Sequence, residues 1–148
     1  MRDRASTTAL NYVMLLGIVA ILVSTLVVGV GDLVIDQQER GVRSQLDVVG
    51  NRLAADVAAV DGVARQTDGT VRLRSDLPDR VVGSPYTVTV EQTGSDSYRL
   101  TLRSSTPDVV VHVPFRSTTP VAEGTVRGGP VDVGYDPATS SEVTLRDR

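Results

Sequence analysis

Few side chains in this chain could do chemistry. His112 is the only histidine and sits in the run Val109-Val110-Val111-His112-Val113. Strand alternation places it on the face opposite Val109, Val111, Val113 and Phe115, as a half-exposed strand residue. A metal site there would need carboxylate partners that the sequence does not identify. Asp76-Leu77-Pro78-Asp79 has the composition of a turn and not the spacing of a calcium loop. Gly124 and Gly128-Gly129-Pro130 read as hairpin turns, and no glycine run lies between a strand and a helix as a phosphate loop requires. Serines are numerous, yet no G-x-S-x-G elbow is present and a triad would need a well-placed base. The chain has no cysteine, which excludes disulfides, thiolate metal sites, thiol catalysis and lipid attachment at Cys. The expectation is a protein that is not an enzyme and uses no cofactor and no metal.

Charge and composition point the same way. All 15 basic residues are Arg, and the 18 acids are mostly Asp. Removing Arg2, Arg4 and Asp3 leaves 17 acids against 13 Arg from Asp32 onward, a net of −4. A Lys-free, Asp-, Val- and Thr-rich chain suggests a salt-loving source, because dense carboxylates keep a surface hydrated when screening is strong. With no basic patch and only 3% aromatics, nucleic acid is not an expected partner.

The elements that would position such a surface begin with a charge-free run from Ala5 to Gly31. Its apolar part, Leu10–Val30, would rise roughly 31 Å as a helix, about the thickness of a bilayer's hydrocarbon core. Arg2 and Arg4 precede it, and Asp32, Asp36, Glu39 and Arg40 follow. The sequence therefore predicts a membrane or filament-core helix with its amino terminus inside. A cleaved secretory signal is the competing reading, but its apolar region is usually shorter and ends at a small-x-small site, which Gly31-Asp32-Leu33-Val34 lacks. Leu10, Tyr12, Leu15, Leu16, Ile18, Ile21, Leu22 and Leu26 are the candidate residues of this helix. Ala20 with Ser24, and Thr25 with Gly29, add small-xxx-small spacings that favour close helix packing.

Beyond the run, Ile35, Val42, Leu46, Val49, Leu53, Val57, Val60 and Val63 lay one apolar stripe along a helix. Asp36 with Arg40, Glu39 with Arg43, and Asp61 with Arg65 stand four residues apart with the acid first, the favourable order. Gly29, Gly31, Gly41 and Gly50 weaken this helix by roughly 1 kcal/mol each relative to Ala. Val42, Leu46, Val49 and Leu53 are the expected packing stripe against the rest of the chain, with Val88, Val90, Leu100 and Leu102 as candidate partners.

After Gly69 the apolar period falls from 3.6 to 2. Pro85–Gln92 and Ser97–Ser104, joined at Gly94-Ser95-Asp96, form the clearest hairpin. Further strands are expected at Thr70–Arg74, Val81–Val82, Asp108–Val113, Val121–Val126, Val131–Tyr135 and Glu142–Arg146, with prolines between them or at their ends. The aromatic bulk is only Tyr86, Tyr98, Phe115 and Tyr135 in this region, so an amphipathic helix covering one sheet face would help close a thin core.

Basic residues, an uncleaved-looking apolar helix, an amphipathic continuation and a β-rich head together resemble an archaeal type IV pilin or pilin-like protein. Ser6-Thr7-Thr8, the stretch from Gln37-Gln38-Glu39-Arg40 to Leu53-Ala54-Ala55-Asp56, and Leu77–Tyr86 resemble small pilin-like proteins of halophilic archaea over roughly residues 2–115. The resemblance implies a prepilin peptidase as a partner. It would cut between Arg4-Ala5 and Ser6, leaving the apolar run in the mature chain. Many pilins carry Glu at the fifth mature position; here that position is Leu10 and the nearest polar side chain is Asn11.

The expected fold is thus α+β: a long N-terminal α-helix, half apolar and half amphipathic, followed by a small antiparallel β-sheet or sandwich head. Residues 1–5 would be a short leader, 6–31 the transmembrane or filament-core helix, 32–66 its amphipathic continuation and 67–148 the extracellular head. The expected function is a structural subunit of an archaeal type IV pilus-like surface filament. Its partners would be copies of itself or related pilins, and membrane lipid before assembly. It would be a membrane precursor and then part of a cell-surface filament, since identical subunits stacked head to tail form an open helical polymer. The alternative is a non-polymerising, singly anchored extracellular β domain that binds a cell-surface partner.

Overall fold

A computed structural model describes the backbone of residues 2–148 and the side chains of residues 11–26 and 36–148. The chain divides into two compact units, Met1–Gln37 and Gln38–Arg148. Helix α1 is assigned over Arg2–Ala64. Strands β1 (Val71–Ser75), β2 (Arg80–Val81), β3 (Ser84–Gln92), β4 (Ser97–Ser105), β5 (Asp108–Arg116), β6 (Gly124–Arg127), β7 (Val131–Asp136) and β8 (Ser140–Asp147) follow it. The class is α+β.

The expected long apolar amino-terminal helix needs correction. Among the described residues, no helix is long and apolar enough to cross a membrane. The transmembrane helix, and the pilin criterion that rests on it, are therefore not carried forward. The expectation had counted Leu10 and residues 27–30 into the span, and those side chains lie outside the described residues.

In the second unit, helical spacing stacks Val42, Leu46, Val49, Leu53, Val57 and Val60 on one face, and all are buried. The stripe ends on Ala64, because Val63 points outward and is half exposed. These residues share one core cluster with Val88, Val90, Leu100, Leu102, Val111 and Val113. Gly50 lies where the helix comes closest to the sheet. A Cβ there would stand 2.7 Å from Val113 Cγ2 and 2.8 Å from Leu102 Cδ1.

The larger sheet has five strands. It runs β2-β3-β4-β5, and β6 pairs with β3 beyond β2. The β3–β4 hairpin keeps a clean register from Tyr86↔Ser104 to Gln92↔Tyr98. Alternation then sends Tyr86, Val88 and Val90 inward, together with Tyr98, Leu100 and Leu102. Two prolines lie inside strands and not between them: Pro85 in β3 and Pro114 in β5. Pro114 is tolerated because β5 is an edge strand, where a missing N–H costs no ladder bond.

The smaller sheet has the order β1-β7-β8, all antiparallel. Residues 121–123, expected to open a strand, instead reach across to β8. Val121 bridges Val143, Ala122 N–H donates to the Val143 carbonyl at 2.8 Å, and Val143 N–H donates to the Pro120 carbonyl at 2.7 Å. Three of the scarce aromatics, Tyr86, Tyr98 and Phe115, are tied down. Tyr98 stacks on Phe115 with ring centroids 5.5 Å apart, and its hydroxyl accepts from the Val121 N–H at 3.2 Å. Tyr86 is buried against Gly128, donates to the Pro78 carbonyl at 2.8 Å, and has its hydroxyl pKa pushed up to about 12 by burial.

Candidate assembly surface

The feature that most needs a partner is the described apolar stretch of α1. Tyr12, Val13, Met14, Leu15, Leu16, Ile18, Val19, Ile21, Leu22, Val23 and Leu26 are all exposed, between 46% and 68%. Successive residues of a helix point 100° apart, so this run presents apolar side chains on every face. A helix that is apolar all round is normally covered, and an exposed patch of this kind marks an interaction surface.

Two of its polar residues, Ser24 and Thr25, do not call for water. Ser24 Oγ donates to the Ala20 carbonyl at 2.8 Å and Thr25 Oγ1 to the Ile21 carbonyl at 2.9 Å. Back-bonding to the preceding turn satisfies each hydroxyl within its own helix, which leaves the stretch suited to a dry environment. Sequence reading marked Ser24 and Thr25 only as small residues and missed this; the i−4 spacing of a hydroxyl in an apolar helix is the signal. Of the expected residues of this helix, Tyr12, Leu15, Leu16, Ile18, Ile21, Leu22 and Leu26 lie in the exposed stretch. Arg4, Ala5, Ser6 and Leu10 lie outside the described residues.

The packing stripe is placed quite differently. Val42, Leu46 and Leu53 are fully buried and Val49 nearly so, inside the core of the second unit. They are unavailable to a partner while that unit is folded.

The polar groups of the second unit are engaged in holding its loops. Asp61, in the last turn of α1, is 5% exposed and accepts from the Thr119 N–H at 2.8 Å and the Thr118 N–H at 3.5 Å. Arg65 lies 3.5 Å away. Burial by itself would raise the Asp61 pKa. The hydroxyl and amide of Thr119, the amide of Thr118 and the Arg65 charge together outweigh it and hold the carboxyl below its usual value. A carboxylate at a helix C-terminus opposes the helix dipole, so capping rules would not have placed this anchor there. Val82, at φ 48°, is a β-branched residue in the left-handed region. Gln45 helps hold it by accepting the Val82 N–H at 3.0 Å.

His112 is exposed on β5, 3.2 Å from Thr101 Oγ1. Asp76 pairs with Arg74 at 3.0 Å, and Leu77 of the same turn is buried. Among the described residues, no three of His, Asp and Glu gather as a metal set.

A family model described as a family of unknown function (DUF7266) matches residues 1–146, and the chain belongs to that family. No curated protein and no solved structure matches it.

Proposed function

We propose that this member of the family is a structural subunit of a surface filament, in which residues 11–26 of each copy are covered by the same residues of its neighbours. One observation carries the reading: an all-round apolar helical stretch stays exposed in the isolated chain, while its Ser24 and Thr25 hydroxyls are already satisfied internally. Covering it with identical stretches removes apolar area from water, worth about 25 cal/mol per Å². The Ser24 and Thr25 hydroxyls are not left unpaired by it. The second unit carries its own core beneath a polar, charged surface, as a subunit body exposed to solvent would.

The test is direct. Filaments sheared from cells, sedimented, imaged by negative stain and analysed by mass spectrometry should contain this chain as a subunit. Recovery of the chain only as a non-sedimenting single copy, with no filament containing it, would contradict the reading.

A further inference from the structure

The outer face of the three-stranded sheet carries a trough of about 300 Å³. Its floor is Gly134, in the middle of the central strand β7, paired with Arg72 on one side and Thr144 on the other. Nothing in the backbone demands glycine at this position, since its φ is not among the positive values. Nor does crowding: a Cβ would meet only ordinary contacts, the Val71 carbonyl oxygen at 3.6 Å and Arg72 Cγ at 3.8 Å. A glycine inside a strand weakens it and often marks a place where a ligand approaches the backbone. Its structural consequence here is the open floor.

The walls are chemically specific. Arg72 stands on β1 and Arg146 on β8, and both line the trough. Arg146 is opposite Asp132 in register, and the Thr139 hydrogen bond and, more weakly, the Arg72 charge help hold the Asp136 carboxyl below its usual value, yet neither Arg72 nor Arg146 makes a close ion pair among the described residues. Asp136, at the far end, is already committed: it accepts from Thr139 Oγ1 at 3.0 Å, from the Ala138 N–H at 3.1 Å and from Thr70 Oγ1 at 3.4 Å. That leaves two guanidinium forks, the Asp132 carboxylate and the Ser140 hydroxyl around the floor, with Thr144 Oγ1 already donating to the Gly134 carbonyl at 3.4 Å.

We propose that this trough binds an acidic sugar residue. Its carboxylate is held between Arg72 and Arg146, and its hydroxyls are met by Asp132, by Ser140 and by the rim threonine oxygens, which donate within the protein and accept from the ligand. Guanidinium is the side chain best matched to a carboxylate, through two parallel N–H donors. The volume is at the small end of ligand sites, suited to a single ring. The missing side chain at Gly134 lets that ring lie flat against the sheet.

Sodium glucuronate is the probe, titrated into ¹⁵N-labelled full-length chain kept in solution by a non-ionic detergent. Acetate and glucose are run at matched ionic strength. Glucuronate should shift the Gly134 and Thr144 amides saturably, while acetate and glucose bind about tenfold more weakly, each having lost one set of charge-assisted or hydroxyl bonds. Arg72→Gln and Arg146→Gln should each weaken glucuronate by about tenfold with the rest of the spectrum unchanged. Gly134→Val, which fills the floor with a good strand former, should abolish saturation. Acetate binding as tightly as glucuronate would overturn the assignment in favour of a simple anion site. Shifts that never saturate, or that persist in Gly134→Val, would overturn the trough as a site at all.

Discussion

Asp61 shows how a single residue fastens this fold. Its carboxylate is the shared acceptor for the amides of Thr118 and Thr119, far along the chain, and those bonds hold its pKa below the ordinary 3.8. The sign of the pH effect follows. A group with a depressed folded pKa contributes its stability above the unfolded value and loses it as pH falls through the folded value. The second unit should therefore hold constant Asp61-linked stability above about pH 4 and lose it below. Asp61→Asn should remove that acid dependence and lower stability at pH 7 by about 1.5–3 kcal/mol, the worth of hydrogen bonds to a charged group. Chemical denaturation of both chains across pH 2–7 checks it; parallel curves would contradict the role given to Asp61. A glycine pair tests packing against propensity. Gly50→Ala should destabilise by about 1–3 kcal/mol despite the better helix former, because its Cβ would collide with Val113 and Leu102. Gly62→Ala meets nothing within 4 Å and should stabilise by about 0.5–1 kcal/mol. The sequence marks Gly50 only as a weak point. Its reason lies across the interface, where no local propensity can report it.

Among elements, the helical stripe and the β3–β4 hairpin were the most legible. Both depend on period alone, and burial follows period closely in Val42, Leu46, Val49 and Leu53 and in Tyr86, Val88 and Val90. What was not legible came from neighbours. Val63 fits the stripe by spacing but turns outward, with Ala64 buried in its place. The segment 121–123 carries a strand composition yet is drawn off by Val143 of β8, which takes its backbone bonds. Pro114 looked like a strand end because its edge position was unknowable from the chain. The glycine floor of the trough left a trace in Val131–Tyr135, a glycine at an outward position of an otherwise regular strand, whose meaning needed Arg72 and Arg146 brought beside it by the sheet. Packing energetics give the element-scale prediction. Leu46→Ala or Leu53→Ala should cost the second unit about 2–5 kcal/mol, as removal of a fully buried leucine does. Thermal melts check it, and a variant that melts like the parent would mean the stripe faces something other than this core.

At the scale of the whole molecule, two kinds of apolar surface have different fates. One is buried within the second unit and stabilises it; the other, residues 11–26, is exposed and by our proposal is covered by neighbouring copies. Substitutions should separate them. Ile18→Arg or Ile21→Arg puts an unpaired charge into an interface proposed to be dry, so assembly should be lost while the melting of the second unit stays at its parental value. The chain has no cysteine, so one introduced at Leu22, exposed in the isolated chain, is a unique reporter of what covers that stretch. Mild oxidation of native assemblies carrying Leu22→Cys should give a covalent dimer of the chain, with a cysteine placed at exposed Arg99 as the control that stays monomeric. Leu22→Cys remaining wholly monomeric under the same oxidation, with its thiol reacting as freely as the Arg99 control, would contradict the claim that copies of this chain cover one another.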